Sequence, residues 1–505
     1  MSDAIRRHGL QVLVFVVGAG SLGAEIAAAR LLAPWFGAST IVWANTIAIV
    51  LVALSIGYAL GGRAADRNPT VEGLCRIVLA AGVLLAIVPF AGDPFLHASV
   101  TAFAHLSIGI FLGSLVGVGV LVAVPVLLLG MVAPYAIRLA VHRVGDTGRT
   151  AGRLYAISTV GSLAGTFLAA LLLIPFVGTR RTFLIFALSL TLVAIPGLVR
   201  GRIPALAAPL AIVVLIALPE GIVKSASADG KVIWERQTEY QYARVVQAAD
   251  GIRTLELNEG QAIHSIYEPG SYLVGGYWDE MLVAPFAGGR PPRRVAILGS
   301  AAGTTARAIE HYFPGIRVDA VELDPDITRV GRQLFGLRGP RLHTYTADAR
   351  PWLETTDARY DAILVDAYRQ PYIPFYLATR EFFALVKQHL RPGGTLAVNV
   401  GHPPRSDALE KVMSATIAAD FGFRHVWRDP VDDTNTVVLA TTGRTNPSTA
   451  LQEATLPPDV ARIADATAAR LAPALRGGTV YTDDKAPVEW LVDLSLAQVA
   501  EDHHR

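Results

Sequence analysis

The distribution of charge along the chain constrains its fold more than any other feature. Charged residues make up 17% of the 505 residues and apolar ones 52%. The deficit of charge falls almost entirely before about residue 223. A transmembrane helix needs roughly 20 mostly apolar residues, and seven stretches suit such helices: 11–33, 41–60, 74–92, one within 100–131, 154–177, 182–199 and 203–218. The sequence therefore predicts an α-helical transmembrane bundle of about seven spans over residues 1–223.

Two details of this apolar half bear on its packing. Pro125 and Pro134 either kink the fourth span or divide it into two helices. Small residues at Gly161, Gly165 and Ala169 either permit close helix packing in lipid or merely fill an apolar helix.

Glu25 lies inside the first span, where a carboxylate is costly and usually faces the bundle interior or a cavity. It either binds a cation there or completes a buried polar contact.

The overall composition also excludes several classes of function. The formal net charge is +2, and no basic stripe with interleaved aromatic residues is present, so we expect no nucleic-acid partner. Cys75 is the single cysteine. Disulfides within one chain and thiolate metal sites are therefore excluded, and we expect no metal.

The second half has the pattern of a soluble α/β protein. Residues 224–292 form a small β-strand segment, because 231–247 and 251–257 are strand-like. Residues 293–505 then alternate apolar strands with helical patterns, which is typical of a doubly wound parallel sheet. The predicted strands of this domain are 294–298, 318–322, 342–345, 362–366 and 395–400.

Polar residues and glycines follow these strands at the points where a ligand would bind. A small-residue turn, Gly299, Ser300, Ala301 and Gly303, comes between the first strand and a helix, so it allows a ligand to approach the backbone. Glu322 ends the second strand, roughly 20 residues further on, where an acidic side chain accepts ribose hydroxyls.

The third and fourth strands are followed by carboxylates as well. Asp348 is placed to accept a hydrogen bond from an adenine amino group, and Asp366 ends the fourth strand. Open α/β sheets bind ligands at the carboxyl ends of their strands. We therefore expect Gly299, Glu322, Asp348 and Asp366 to meet in one crevice.

This succession of motifs resembles the S-adenosylmethionine-dependent methyltransferase-like Rossmann fold and, more narrowly, the spermidine synthases. The family's glycine turn, acidic ribose ligand, Asp-Ala pair and strand-end Asp match 299–303, Glu322, Asp348-Ala349 and Asp366. The segments 238–242 and 255–261 are similar to its amino-terminal β-segment, and 277–281 to its aromatic-acidic motif. The resemblance covers nearly all of residues 231–445 and implies a homodimer.

The apolar half resembles a bacterial group in which a transporter-like membrane segment is fused to such a domain. The matching stretches are 20–25, 30–37, 161–167 and 481–490, while 61–67 is similar to a loop motif of major-facilitator transporters. The resemblance implies a multi-pass protein of the cell (inner) membrane.

Arginines predict the orientation of the spans. Most of them fall on the side of the amino terminus if the spans alternate, which predicts a cytoplasmic amino terminus. Seven full crossings would place the carboxyl-terminal domain outside, whereas a cytosolic nucleotide donor requires it inside. We therefore expect 203–218 to lie in the membrane or to cross it only partly, with the catalytic domain in the cytoplasm.

The resemblance implies transfer of an aminopropyl group from decarboxylated S-adenosylmethionine to a small-molecule amine. Asp366 is the implied base, since the attacking amine must lose a proton. Ligands of the donor are then Gly299, Ser300, Ala301, Gly303, Glu322, Asp348, Ala349 and Gln261. Acidic and aromatic groups suit a cationic amine, and the candidates are Tyr240, Tyr242, His264, Asp279, Glu280, Tyr368, Asp483 and Asp484. His264 competes with Gln261 for the position of the family's donor-binding Gln.

Two departures from the family pattern leave the substrate open. Ala302 stands where spermidine synthases usually carry an Asp that favours the decarboxylated donor, and Arg369 replaces an Asp that grips the amine. An arginine there repels a diamine and attracts a carboxylate. The alternatives are a methyltransferase that uses ordinary S-adenosylmethionine on the same fold, and a non-catalytic polyamine transporter or sensor.

Overall fold

The chain divides into two compact units. The computed structural model describes residues 3–36, 40–103, 109–141, 144–198, 202–219, 230–258, 262–368, 372–492 and 494–495. The first unit comprises residues 1–224 together with 236–242, and the second comprises 225–235 together with 243–505.

Helices make up nearly all of the described part of the first unit. They are α1 (Asp3–Phe36), α2 (Thr40–Arg67), α3 (Val71–Phe103), α4 (Gly109–Leu121), α5 (Ala123–Gly130), α6 (Val132–Ala140), α7 (Thr147–Phe167), α8 (Ile174–Ala194), α9 (Arg202–Ala205) and α10 (Ala207–Ala217). A π-helical turn, Leu168–Leu173, joins α7 to α8. Pro125 and Pro134 lie in two successive helices, α5 and α6.

Small residues let the helices of this unit approach one another closely. A Cβ added at Gly161 would lie 2.2 Å from the backbone oxygen of Phe15, and one added at Gly165 would lie 2.1 Å from that of Ala19. The backbones of α7 and α1 are therefore too close for any larger residue at these positions. Gly161 and Gly165 serve helix packing, which is one of the two roles that their spacing predicts.

Five helical stretches of this unit are long and apolar enough to cross a membrane: His8–Phe36, Thr40–Arg67, Val71–Gly92, Ala123–Ala140 and Thr147–Gly197. Two shorter apolar helices are Phe111–Leu121 and Ala207–Ala217. Gly178 has a non-helical φ of +83°, so it interrupts the longest stretch within α8.

The second unit carries most of a small sheet ahead of its main domain. The strands of this sheet are β1 (Gly230–Gln237), β2 (Tyr242–Ala248), β3 (Arg253–Leu257) and β4 (Ile263–Tyr267), in that order. The pairs β2–β3 and β3–β4 are antiparallel. These strands lie within the segment 224–292, whose bounds as a separate segment remain a prediction.

The main domain is built on an eight-stranded sheet. Its strands are β5 (Arg294–Leu298), β6 (Arg317–Glu322), β7 (Leu342–Thr346), β8 (Tyr360–Val365), β9 (Leu390–Gly401), β10 (Val426–Pro430), β11 (Asn435–Thr441) and β12 (Ala472–Pro473). Their order is β12-β10-β11-β9-β8-β5-β6-β7. The five strands β5 to β9 are parallel, and β10 to β12 extend the sheet with antiparallel pairs.

Helices accompany this sheet along the chain. They are α11 (Tyr277–Val283), α12 (Thr304–Tyr312), α13 (Pro325–Leu334), α14 (Ala349–Thr355), α15 (Arg380–His389), α16 (Ala408–Phe421), α17 (Pro447–Glu453) and α18 (Pro458–Arg470). Val295 to Leu298 of β5 are all buried, as expected of a parallel strand covered on both faces. The strand order reverses between β5 and β8, which places a crevice at the carboxyl ends of these two neighbours.

Candidate active site

The turn after β5 depends on two glycines. Gly299 has φ +85°, and a Cβ there would lie 2.5 Å from the Cα of Ala367. Gly303 has φ +93°, and a Cβ there would lie 2.2 Å from a side-chain carbon of Leu337. Only glycine adopts these angles without strain. The turn thus stays narrow, and it leaves the backbone of Ser300 close to the amino terminus of α12, where anionic and polar ligands are favoured.

Glu322, the last residue of β6, faces this turn. One carboxylate oxygen accepts a hydrogen bond of 2.9 Å from the Ala301 N–H, and the other accepts one of 3.0 Å from the Asp324 N–H. Burial raises the pKa of Glu322 to about 7, against the lowering effect of these hydrogen bonds. Each carboxylate oxygen has a second lone pair, so the group can also accept ribose hydroxyls.

Asp348 follows β7 and caps α14. One oxygen accepts a hydrogen bond of 3.2 Å from the Arg350 N–H, and the other accepts one of 2.9 Å from the Tyr376 hydroxyl. Ala349 is buried in the first turn of α14. The carboxylate is therefore held in a fixed direction, and Tyr376 already occupies one of its acceptor positions.

Asp366 directly follows β8 and is held by two polar side chains. The Asn399 amide donates a hydrogen bond of 2.9 Å to its carboxylate, and the Tyr277 hydroxyl is a second donor. Burial raises the pKa of Asp366 to about 7, the two donors lower it, and the charge of Glu322 raises it. A carboxylate with such a pKa accepts a proton readily near neutral pH.

The four predicted carboxyl-end residues lie on neighbouring strands. Asp366, Gly299, Glu322 and Asp348 follow or end β8, β5, β6 and β7, which are adjacent in that order and all parallel. The structure thus brings them to one edge of the sheet. Their roles toward a donor remain predictions.

His264 and Ser265 of β4 line the same crevice as Gly299 and Asp366. The Nε2 atom of His264 is buried and has no hydrogen-bond partner in the described part of the chain. Burial lowers the pKa of this imidazole to about 4, so it is neutral at physiological pH. His264 therefore has an unused polar atom beside the candidate base.

Ala302 occupies a closed position in the glycine turn. Its side chain is fully buried, and its N–H donates a hydrogen bond of 2.9 Å to the Ser265 hydroxyl. A carboxylate at this position would have to enter a buried apolar cluster that contains Ala243 and Ile327. The buried apolar surroundings of this position therefore suit alanine better than the Asp that the family usually carries.

Tyr368 is tied to β9. Its hydroxyl donates a hydrogen bond of 3.0 Å to the carbonyl of Asn399 and accepts one of 2.5 Å from the Gly401 N–H. Burial and the nearby Asp366 raise the pKa of its phenol. Tyr368 lies close enough to Asp366 to feel its charge, so the structure brings the two together.

Asp279 and Glu280 are engaged within the protein. Asp279 accepts hydrogen bonds of 3.2 and 3.0 Å from the N–H groups of Val274 and Gly275. Glu280 forms an ion pair of 2.6 Å with Arg470. Burial raises the pKa of Glu280 to about 7, and Arg470 opposes this shift. An amine would compete with these partners.

The two carboxylates near the carboxyl terminus differ in their surroundings. Asp483 accepts two hydrogen bonds of 2.7 Å from the Arg350 guanidinium and one of 2.7 Å from the Thr379 hydroxyl. Arg350 lowers the pKa of this carboxyl below its usual value. Asp484 is exposed. Asp483 therefore has a structural partner that the sequence does not indicate.

Four residues from the sequence analysis remain, of which two belong to the first unit and two are not described by the structure. Tyr240 and Tyr242 belong to the 236–242 segment of the first unit, where Tyr242 is buried and Tyr240 is half-buried. Gln261 and Arg369 lie outside the described residues. The assignments of all four remain predictions.

Two residues near Asp366 are missing from the sequence-based list. Tyr277 is the first residue of the aromatic-acidic motif 277–281, and this motif is a sequence signal for its role. Asn399 is buried inside the apolar strand β9. A buried amide in an apolar strand must find a hydrogen-bond partner. An Asn within this apolar run is therefore the sequence feature that indicates Asn399.

The comparisons with known proteins bear on this geometry. The model of the spermine/spermidine synthase domain family matches residues 278–418. The chain contains a spermidine synthase domain. This match includes the glycine turn, Glu322, Asp348, Asp366 and Asn399, and it confirms the resemblance that the motifs indicate.

Curated relatives extend the match of the spermidine synthase domain. A probable polyamine aminopropyl transferase of Bifidobacterium longum is 30% identical over 289 residues, which cover 53% of this chain and 64% of the relative. A polyamine aminopropyltransferase of Vibrio vulnificus is 31% identical over 30% of this chain and 50% of its own length. The chain thus spans less than two thirds of these two relatives. One from Mycobacterium tuberculosis is 28% identical over 79% of this chain and 78% of its own length.

Solved structures with similarity to this chain carry the same family name. A probable spermidine synthase from Corynebacterium glutamicum is 21% identical with a TM-score of 0.37, covering 49% of this chain and 96% of its own. A spermidine synthase in complex with the transition-state analogue AdoDATO is 19% identical with a TM-score of 0.38. The match covers 53% of this chain and 85% of that synthase.

Proposed function

We propose that this chain is a membrane-bound polyamine aminopropyltransferase, which transfers an aminopropyl group from decarboxylated S-adenosylmethionine to an amine. The observation that carries the proposal is the placement of Asp366. It lies beside the glycine turn, its pKa is about 7, and Asn399 and Tyr277 both donate to it. A base poised near the working pH suits the removal of a proton from an ammonium substrate.

The donor fits the crevice by the chemistry of its parts. Glu322 accepts the ribose hydroxyls, and Asp348 with Ala349 holds the adenine. Gly299 lets the turn pass close to the backbone of Asp366 and Ala367, and the small residues of the turn let the ligand approach the backbone at the amino terminus of α12. Gln261 is the family's further ligand by resemblance. No metal is required, because the leaving sulfur already carries the positive charge.

The reaction is a substitution at carbon. The acceptor ammonium gives a proton to Asp366, and the lone pair of the resulting amine attacks the carbon beside the sulfonium. A C–N bond forms while the C–S bond breaks, and the bonding electrons neutralise the sulfur, so that a thioether nucleoside leaves. The new nitrogen carries the positive charge.

The acceptor is held by groups around Asp366. His264 offers a neutral imidazole with a free Nε2 atom, and Tyr368 adds an aromatic ring beside the base. Asp279, Glu280, Asp483, Asp484, Tyr240 and Tyr242 are the further candidates. Among them Asp484 is exposed and makes no ion pair within the described residues. Asp483 has the strongest competing partner, Arg350.

The membrane location rests on the first unit. Five of its helical stretches have the length and composition of membrane spans. Large apolar side chains are exposed along them, such as Phe176 at 78% and Val160 at 58%. Such exposure suits contact with lipid. The protein is then a multi-pass inner-membrane protein with its catalytic domain in the cytoplasm, and family resemblance favours a homodimer.

A methyltransferase that uses ordinary S-adenosylmethionine is the second candidate. Ala302 favours it, because the family's Asp at that position discriminates against the donor's carboxylate. The buried surroundings of Ala302 leave no negative charge there. The fold serves both reactions equally well.

One experiment separates these functions. The purified full chain in detergent is incubated with either donor and a panel of mono-, di- and triamines, and the products are resolved by mass spectrometry. Aminopropylated amine from the decarboxylated donor supports the proposal. Methylated product from S-adenosylmethionine supports the second candidate. Binding of a donor without turnover of either one would leave a non-catalytic transporter or sensor.

A further inference from the structure

A cavity lies inside the helical first unit, far along the sequence from the crevice. Helices α1, α2, α5, α6 and α7 enclose it, and its volume is about 80 Å³. One buried water needs roughly 10–15 Å³ by the same measure, so the cavity holds more than one small polar group. Its lining is apolar except for the hydroxyls of Ser21, Tyr58, Ser158 and Ser162.

Ser21 supplies the first sign that the cavity has a ligand. Its side chain is 6% exposed, and its hydroxyl has no hydrogen-bond partner in the described part of the chain. A buried hydroxyl without a partner is unfavourable. Ser162 donates a hydrogen bond of 3.3 Å to the carbonyl of Gly18, and its oxygen can still accept one.

Glu25 supplies the second sign. Gly18, Ser21 and Leu22 of α1 line the cavity, and positions three and four apart share one face of a helix. Glu25 is four residues after Ser21, so it lies on that face, roughly 6 Å further along the axis. Its carboxylate forms no ion pair or hydrogen bond with any described residue. A carboxylate within an apolar helix requires a counter-charge or a proton.

We propose that this cavity binds the primary ammonium group of an amine. The ammonium has three N–H donors and no acceptor. The oxygens of Ser21, Ser158 and Tyr58 accept from it, and Glu25 provides the opposite charge. An anion is disfavoured, because none of the described residues that line the cavity is basic. The site stands on the helical unit alone and does not depend on the proposed transfer reaction.

The test uses the full chain in lipid nanodiscs and methylammonium as the probe. Binding is measured by calorimetry for the wild type and for Glu25→Gln and Ser21→Ala. Glu72→Gln is the matched control, since Glu72 pairs with Arg76 at a helix start. Loss of a charge-assisted contact should weaken binding by about tenfold or more in Glu25→Gln, and Ser21→Ala should weaken it less. Glu72→Gln should bind as the wild type does.

Parallel measurements separate this site from the crevice. Product formation is assayed in every variant, and Glu25→Gln should keep wild-type activity while binding is lost. Methylammonium binding that is equal in the wild type, Glu25→Gln and Ser21→Ala overturns the site. Binding of Na⁺ that Glu25→Gln abolishes, together with no binding of methylammonium, overturns the choice of ligand. If Glu25→Gln fails to fold, Ser21→Ala decides alone, because it removes one small buried oxygen.

Discussion

The amide nitrogen of Asn399 lies 2.9 Å from a carboxylate oxygen of Asp366. The two residues are 33 positions apart and meet because β9 pairs in parallel with β8. The side-chain amide oxygen Oδ1 of Asn399 accepts a further hydrogen bond of 2.8 Å from the side-chain amide of Asn435. This relay fixes which way the Asn399 amide points, so that its donor group faces the candidate base.

Asp366→Asn tests the role of the base. The amide cannot accept the proton of the acceptor, so turnover should fall by roughly 100-fold or more. The rate is measured with saturating donor and amine. Asp357→Asn is the control, because Asp357 is exposed and lies before β8. Wild-type turnover in Asp366→Asn would remove this carboxylate from the mechanism.

The pH dependence of the reaction provides a second prediction. The base works when it is deprotonated, and the pKa of Asp366 is raised from 3.8 to about 7. The rate should therefore rise with pH through about 7 and become level above it. Because the pKa of Glu322 is also about 7, this rise of the rate with pH reflects the titration of both groups. A profile that is flat from pH 5 to pH 8 would contradict a raised pKa at either carboxylate.

Tyr277→Phe should shift the rise of the rate to higher pH. The Tyr277 hydroxyl lowers the pKa of Asp366 by donating to its charged form, so its removal raises the pKa. A shift of about one unit would lower the rate at pH 7 about fivefold and leave the high-pH plateau unchanged. Tyr272→Phe, which keeps the stacking of its ring on His311, is the control. An unshifted pH–rate profile would show that Tyr277 does not lower the pKa of Asp366.

Much of the main domain can be predicted from sequence, because buried parallel strands are continuous apolar runs. Residues 294–298 are a strand in the prediction and in the structure, and the next three strands agree within two residues. Strand β10 could not be predicted, since its Arg428, Asp429 and Pro430 are typical of a turn. Partners across the sheet, such as Asn399 and Asp366, depend on strand order, which residue spacing does not encode.

Gly299→Ala tests the glycine turn. The substitution forces a side chain into φ +85° and places a Cβ 2.5 Å from Ala367. We expect a loss of about 1–3 kcal/mol in stability from strain of this kind, together with weaker donor binding. Gly315→Ala should be nearly silent, since a Cβ there meets nothing within 4 Å. Thermal unfolding and donor titration measure both effects, and equal behaviour of the two variants would contradict the account of the turn.

Asp483→Asn distinguishes an ion pair from a substrate ligand. The partly exposed pair with Arg350 should contribute roughly 0.2–1 kcal/mol to stability. Because the pKa of Asp483 is lowered, this stability is present above the usual value of 3.8 and is lost as the pH falls through the folded value. Asp357→Asn, at an exposed position outside the candidate amine site, is the control. An increase in the amine KM without a change in unfolding would favour substrate binding by Asp483.

The most direct test of the account is a structure of the full chain with decarboxylated S-adenosylmethionine bound. We expect the ribose hydroxyls within hydrogen-bond distance of Glu322, the adenine beside Asp348, and the sulfonium carbon facing Asp366 across the Gly299 turn. A donor bound elsewhere on the chain, or a crevice that remains filled by the protein's own side chains at saturating donor, would contradict the proposed function.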